Sequence, residues 1–248
     1  MEDEVRPSWQ KLIHFNWKFG LGLLLLVCIP RFILVLAANA SGNYGSIGAI
    51  MVLSALCPFV FLTPFGRRKI GMTKPDRYSQ LVAAFVVGIA FSGLLYAIGR
   101  MLYGTSFQNW YVYIGKSYKI PVGISPTDKA TLFTIVAITG MLFSPIGEEL
   151  FFRGIVHASF AHSMGDKRAS VVDSSAFALT HLSHFGLVFI DGQWRFLAIP
   201  AFIWVVGMFL VSRLFFGFKT ASGSLLGAIL CHAGFNLGMT YCIFYFLS

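Results

Sequence analysis

Three short stretches hold side chains whose types and spacing suit chemistry: "EELFFR" from Glu148 to Arg153, "FALTH" from Phe177 to His181, and "HAGFN" from His232 to Asn236. On a helix each sets residues i and i+4 on one face: Glu149 with Arg153, Phe177 with His181, and His232 with Asn236. Glu149 and Arg153 can neutralise each other, and glutamate ahead of a basic residue is the favourable order. Glu148 is turned about 100° from Glu149. It has no obvious partner within its own helix, so it is available as a general base or acid. Taken singly, each stretch also fits a plainer role: a helix-end ion pair, a histidine bonded to a neighbouring helix, a packing asparagine.

Together, a glutamate, two histidines and an asparagine suit hydrolysis of an amide. A carboxylate can take a proton from water while one histidine holds that water. A second histidine and an asparagine amide can donate to the developing oxyanion. Glu148, His181 and His232 are also a zinc-ligand set with a position left for water. The sequence contains no HExxH, so the familiar zinc-binding helix is absent. No serine or cysteine stands in a recognisable nucleophile motif, and Ser222 and Ser224 read as packing and capping residues.

These residues must be positioned by elements built for lipid. Of 248 residues, 56% are hydrophobic and 12% charged, against about 25% charged in soluble domains. Apolar runs of about twenty residues recur along the chain, whereas barrel strands alternate over about ten. The fold class is therefore all-α, a polytopic transmembrane helical bundle. Spans are expected at 19–40, 46–66, 79–103, 131–153, 170–190, 196–218 and 224–247, about seven, within a range of six to eight. Pro30-Arg31 interrupts the first and predicts a kink or two shorter pieces. The aromatic segment 104–130 reads as interfacial or as a short extra helix. One membrane domain is expected over 1–248, with scaffold spans in 1–130 and the helices bearing the three stretches in 131–248. Asp173 reads as a cap at its span entrance.

Basic residues indicate orientation. With the N-terminus in the cytoplasm, the cytoplasmic segments carry Arg6, Lys11 and Lys18, then Arg67, Arg68, Lys69, Lys74 and Arg77, then Lys167 and Arg168, then Arg213 and Lys219. The other side carries Arg100, Lys116, Lys119, Lys129 and Arg195, and Arg31 and Arg153 fall inside spans. This bias favours a cytoplasmic N-terminus. The net charge of +9 is thus a topology signal, and nucleic acid is not an expected partner. Cys28, Cys57, Cys231 and Cys242 lack metal-ligand spacing and read as packed thiols. No cleavable signal peptide is expected.

Charge inside a span is costly and marks a functional site by default. From the expected cytoplasmic span ends, Glu148 lies about 8 Å deep, His232 about 12 Å and His181 about 16 Å, at 1.5 Å per residue. Three separate spans therefore bring the polar groups to overlapping depths, and one buried polar pocket opening toward the cytoplasmic side is expected.

The ordered set EExxxR, FxxxH and HxxxN, covering roughly 131–240, resembles the CAAX-protease and bacteriocin-processing family of intramembrane endopeptidases. The resemblance implies a helical bundle commonly of eight spans. It implies Glu148 as base with His181 on the attacking water, and His232 and Asn236 at the oxyanion. Glu149 and Arg153, with Phe177 beside them, would organise the site. The family has been described as both zinc and glutamic proteases. The Glu149–Arg153 pairing favours the glutamic type with no cofactor, zinc being the alternative.

The expected function is hydrolysis of a peptide bond in a membrane-associated peptide or lipidated protein: a prenylated CAAX-type tail, or a bacteriocin or pheromone leader. A non-proteolytic immunity or regulatory protein on the same fold is the first alternative and a proton-coupled transporter the second. The lipid bilayer is the expected surrounding. A bacterial cytoplasmic membrane is favoured over the endoplasmic reticulum. No motif specifies an oligomeric state.

Overall fold

Local signals set the helix ends. Asn16 accepts from the backbone N–H groups of Lys18 and Phe19 and opens a helix that closes at Gly42 in the left-handed region, φ 72°. Ser125 accepts from Asp128 N–H, with Pro126 in the first turn. Gly223, φ 72°, ends one helix, and Ser224 caps the next by accepting from Leu226 N–H. Ser224 thus has the capping role its sequence context suggests.

The computed structural model describes residues 3–247. Its main helices are α1 (Trp17–Ser41), α2 (Ile47–Phe61), α3 (Ser79–Tyr103), α4 (Pro126–Met164), α5 (Asp166–Thr180), α6 (Ala198–Ser222) and α7 (Leu225–Leu247). Among the described residues, α1, α3, α4, α6 and α7 are long and apolar enough to cross a membrane, and α2 is a shorter apolar helix. The fold is an all-α polytopic bundle. Short helices occupy Pro64–Lys69 and Trp110–Gly115, the latter within the aromatic segment.

The first span is a single helix through Pro30, not two pieces. Two expected spans differ. The span expected at 131–153 runs from Pro126 to Met164. The span expected at 170–190 stops as an α-helix at Thr180. A single 3-10 turn, His181–Ser183, follows it, and then the hairpin β1 (Leu187–Ile190) and β2 (Gln193–Phe196), paired antiparallel. The hairpin turn is Asp191-Gly192, with φ of 52° and 75°. That is the two-residue Asp-Gly turn whose twist suits a hairpin, and hydropathy averaging over Leu187–Ile190 hides it.

α7 crosses α3 through small residues. A Cβ added at Gly88 would collide with the Cys231 carbonyl, and one at Gly234 with that of Phe85. Such contacts let helix backbones approach closely where apolar burial alone gives no driving force. Seating Gly234 and Gly238 against α3 turns the His232–Asn236 face of α7 toward α4, where Asn236 Nδ2 donates to the Gly140 carbonyl at 2.9 Å. The four cysteines are free thiols within the bundle.

Candidate active site

α4 and α5 form an antiparallel hairpin about Gly165, whose φ of 80° glycine adopts without strain. Residues equidistant from that turn come level. Glu149 and His181 each lie sixteen residues from it, Arg153 and Phe177 twelve, and His157 and Asp173 eight. Contacts follow this ladder at the Arg153–Phe177 and His157–Asp173 rungs, and at the third His181 faces Glu148, the neighbour of Glu149. His181 Nε2 is 3.9 Å from Glu148 Oε2, the Arg153 guanidinium is 4.3 Å from the Phe177 ring centre, and His157 Nδ1 is 2.6 Å from Asp173 Oδ2. Because α4 continues to Met164, Glu148 is about 24 Å from the helix end rather than 8 Å, and His181 about 22 Å from the start of α5.

Within α4, Glu149–Val156 is a π-helix. Its i→i+5 bonding widens the turn, and such segments concentrate at functional sites. All its residues are buried, and Glu148 just before it is buried too. Consecutive glutamates thus both enter the interior.

Their partners differ. Glu148 Oε1 accepts from Arg31 Nη2 at 2.9 Å and from the Ser144 hydroxyl. Its Oε2 has no hydrogen-bond partner among the described residues. His181 Nδ1 is 2.7 Å from the Phe177 carbonyl. A carbonyl only accepts, so Nδ1 carries the hydrogen and Nε2 of the neutral ring turns a lone pair toward Glu148. Glu149 Oε1 meets Arg153 Nη1 at 3.2 Å and His232 Nδ1 at 2.8 Å. Arg153 Nη2 also donates to Ser212, and Phe215 stacks on the His232 ring at 4.6 Å. Two carboxylates and two guanidiniums therefore balance one another in the interior.

Glu148 finds its ionic partner outside its own helix: Arg31, on α1 and 117 residues away in sequence, supplies it. The available signal was an arginine in the middle of an apolar run. Asp173 is not an entrance cap. It is fully buried against His157, whose other ring nitrogen is 3.1 Å from Asp166. Its level with His157 about Gly165 was legible, but a single-helix reading does not look for it.

A cavity of about 550 Å³ reaches these groups. Arg31, Glu148, His181, His232 and Asn236 line it together, and Met51, Phe143, Trp204, Met208, Phe235 and Met239 make most of its wall apolar. Tyr44, Gly48, Ile114, Ser117 and Tyr118 also line it, at the end of the bundle where α1 finishes and α4 begins. The arginine-rich Pro64–Lys69 helix lies at the opposite end, where α2 finishes.

Among the described residues, no three His, Cys, Asp or Glu side chains are placed to share a metal ion. The candidate zinc set of Glu148, His181 and His232 fits poorly for one further reason. Arg31 already neutralises Glu148, and a guanidinium 2.9 Å from a carboxylate opposes a dication there.

Residues 130–238 match the family model described as Type II CAAX prenyl endopeptidase Rce1-like. Through these residues, less than half of the chain, it resembles the Rce1-like family. That similarity supports a CAAX-type intramembrane endopeptidase at family level, and with its apolar helices the chain is an integral membrane protein. The matched segment contains EExxxR, FxxxH and HxxxN but not Arg31. Comparisons with curated proteins and with solved structures returned no match.

Proposed function

We propose that the chain hydrolyses a peptide bond of a membrane-associated substrate with water activated by Glu148 and His181, without a metal. One observation carries this reading: the unpartnered Glu148 Oε2 faces the His181 Nε2 lone pair across 3.9 Å beside an apolar cavity. That separation is too long for a direct hydrogen bond, and a water about 2.8 Å from each atom can donate to both. Glu148 takes the proton as the water oxygen attacks the scissile carbonyl. The oxyanion accepts from the second Asn236 amide hydrogen and from Nε2–H of His232, whose Nδ1 is held against the Glu149 carboxylate. Glu148 then returns the proton to the leaving amine, giving a new carboxyl and a new amino terminus. The apolar wall suits a substrate with a lipid-like group or strongly apolar side chains beside the cut.

A transporter would need a path from this cavity to the arginine-rich end. Beyond Glu148 in that direction the interior is filled by buried Phe151, Phe152, Phe177, Phe215 and Arg153. That packing favours the hydrolase over the carrier.

The test uses purified protein in lipid nanodiscs with quenched-fluorescent peptides ending in a CAAX sequence, farnesylated or not, and mass spectrometry of the products. Cleavage at one internal bond, unaffected by a zinc chelator, is the expected result. Intact peptides throughout would remove the protease reading. Inhibition by the chelator that zinc reverses would remove the metal-free scheme. In the same assay Asn236→Ala is expected to lower kcat by about 10²–10³-fold, the effect of losing one oxyanion donor. An unchanged kcat would take Asn236 out of that role.

A further inference from the structure

The charged pair between α1 and α4 reaches outside the matched segment, since residues 130–238 exclude all of α1. Arg31 is 3% exposed and Glu148 1%. Their contact is a single one, Nη2 to Oε1 at 2.9 Å, and Arg31 Nε has no hydrogen-bond partner among the described residues. Ser144 donates to that same Oε1 from one turn earlier on α4. Both donors therefore hold one oxygen of Glu148 and leave the other facing His181.

We propose that Arg31 is a positioning residue of the hydrolytic site: it grips Glu148 Oε1 from outside the family segment and so aims Oε2 at the water-holding face of His181. This rests on the endopeptidase reading above. A carboxylate on a free rotor would present either oxygen, and its side chain would swing into the adjoining cavity. Two converging donors select one rotamer, and preorganisation of a reacting group is worth far more than its bond count suggests. Arg31 also supplies the second of the two positive charges that balance Glu148 and Glu149 in the interior. The planar guanidinium matters as well as the charge, because a lysine reaches less far and holds its partner as a point charge.

The experiment compares Arg31→Lys and Arg31→Met with wild type, measuring kcat and KM on the farnesylated peptide and Tm in detergent. Arg31→Lys is expected to keep its Tm and lose about tenfold in kcat, with KM within about threefold. Arg31→Met is expected to lose about 100-fold in kcat. Wild-type kcat in Arg31→Lys would reduce Arg31 to charge balance and overturn the proposal. A raised KM at unchanged kcat would make it a substrate-binding residue and also overturn it. A stability cycle decides the pair without turnover. Arg31→Met and Glu148→Ala should each lower Tm, since each strands a buried charge, and the double variant should recover part of the loss. Additive losses would show that the two side chains are not coupled, whatever the fate of the protease reading.

Discussion

Glu148→Gln is expected to lower kcat by about 10⁴-fold, the upper range for loss of a general base, with insertion and Tm close to wild type. Glutamine keeps the shape of the side chain and an oxygen for Arg31 and Ser144 at the Oε1 position. It removes the basic Oε2 opposite His181. Glu148→Ala is a poorer test here. It would strand Arg31, which is buried, and a stranded buried charge is strongly destabilising. Activity lost together with stability would then say little about chemistry. Peptide cleavage by the Gln variant within tenfold of wild type would remove Glu148 as the base. A compensating effect elsewhere is excluded by circular dichroism and size-exclusion profiles matching wild type.

Arg153→Ala carries the second large effect, and it is one of folding. Arg153 is fully buried, touches Glu149 and Ser212, and lies between the Phe177 and Phe215 rings at 4.3 and 5.2 Å. Removing it leaves Glu149 with only His232 and opens the space between the rings. Breaking a buried pair from one side costs about 3–5 kcal/mol, a fall in Tm of about 10 °C for a domain of this size. Activity should fall with it, since His232 would lose its fixed carboxylate. Glu149→Ala is expected to behave the same way, and the pair replaced together should be less destabilised than the sum of the two. A thermal-shift assay in detergent reads this directly. Normal Tm in both single variants would contradict the network.

Much of the candidate site was legible in sequence because its spacings are helical. Glu149 and Arg153, Phe177 and His181, and His232 and Asn236 are each i and i+4, and the first of these pairs is in contact at 3.2 Å. Hydropathy placed α3 at its observed limits and the other long helices to within a few residues at most ends. It failed where averaging hides a polar punctuation. Asp191-Gly192 is a turn in the gap between two expected spans, and the α4–α5 turn falls at Gly165, not at 153. The extension of α4 then places Glu148 farther from the helix end than expected.

The sequence by itself determined which side chains carry charge into lipid, and through helical periodicity it determined which of them share a face. It also contained the ladder about Gly165, because two antiparallel helices joined at one turn must align residues at equal distance from it. Only the tertiary structure decided the long-range partners. Arg31 meets Glu148 across 117 residues, and His232 meets Glu149 across 83. Those choices depend on the rotation of α1 and α7 about their own axes. That rotation is set by close glycine crossings and ring packing throughout the bundle, and no local spacing encodes it. The cavity was decided in the same way, by how α1, α4, α6 and α7 pack around Glu148, His181 and His232.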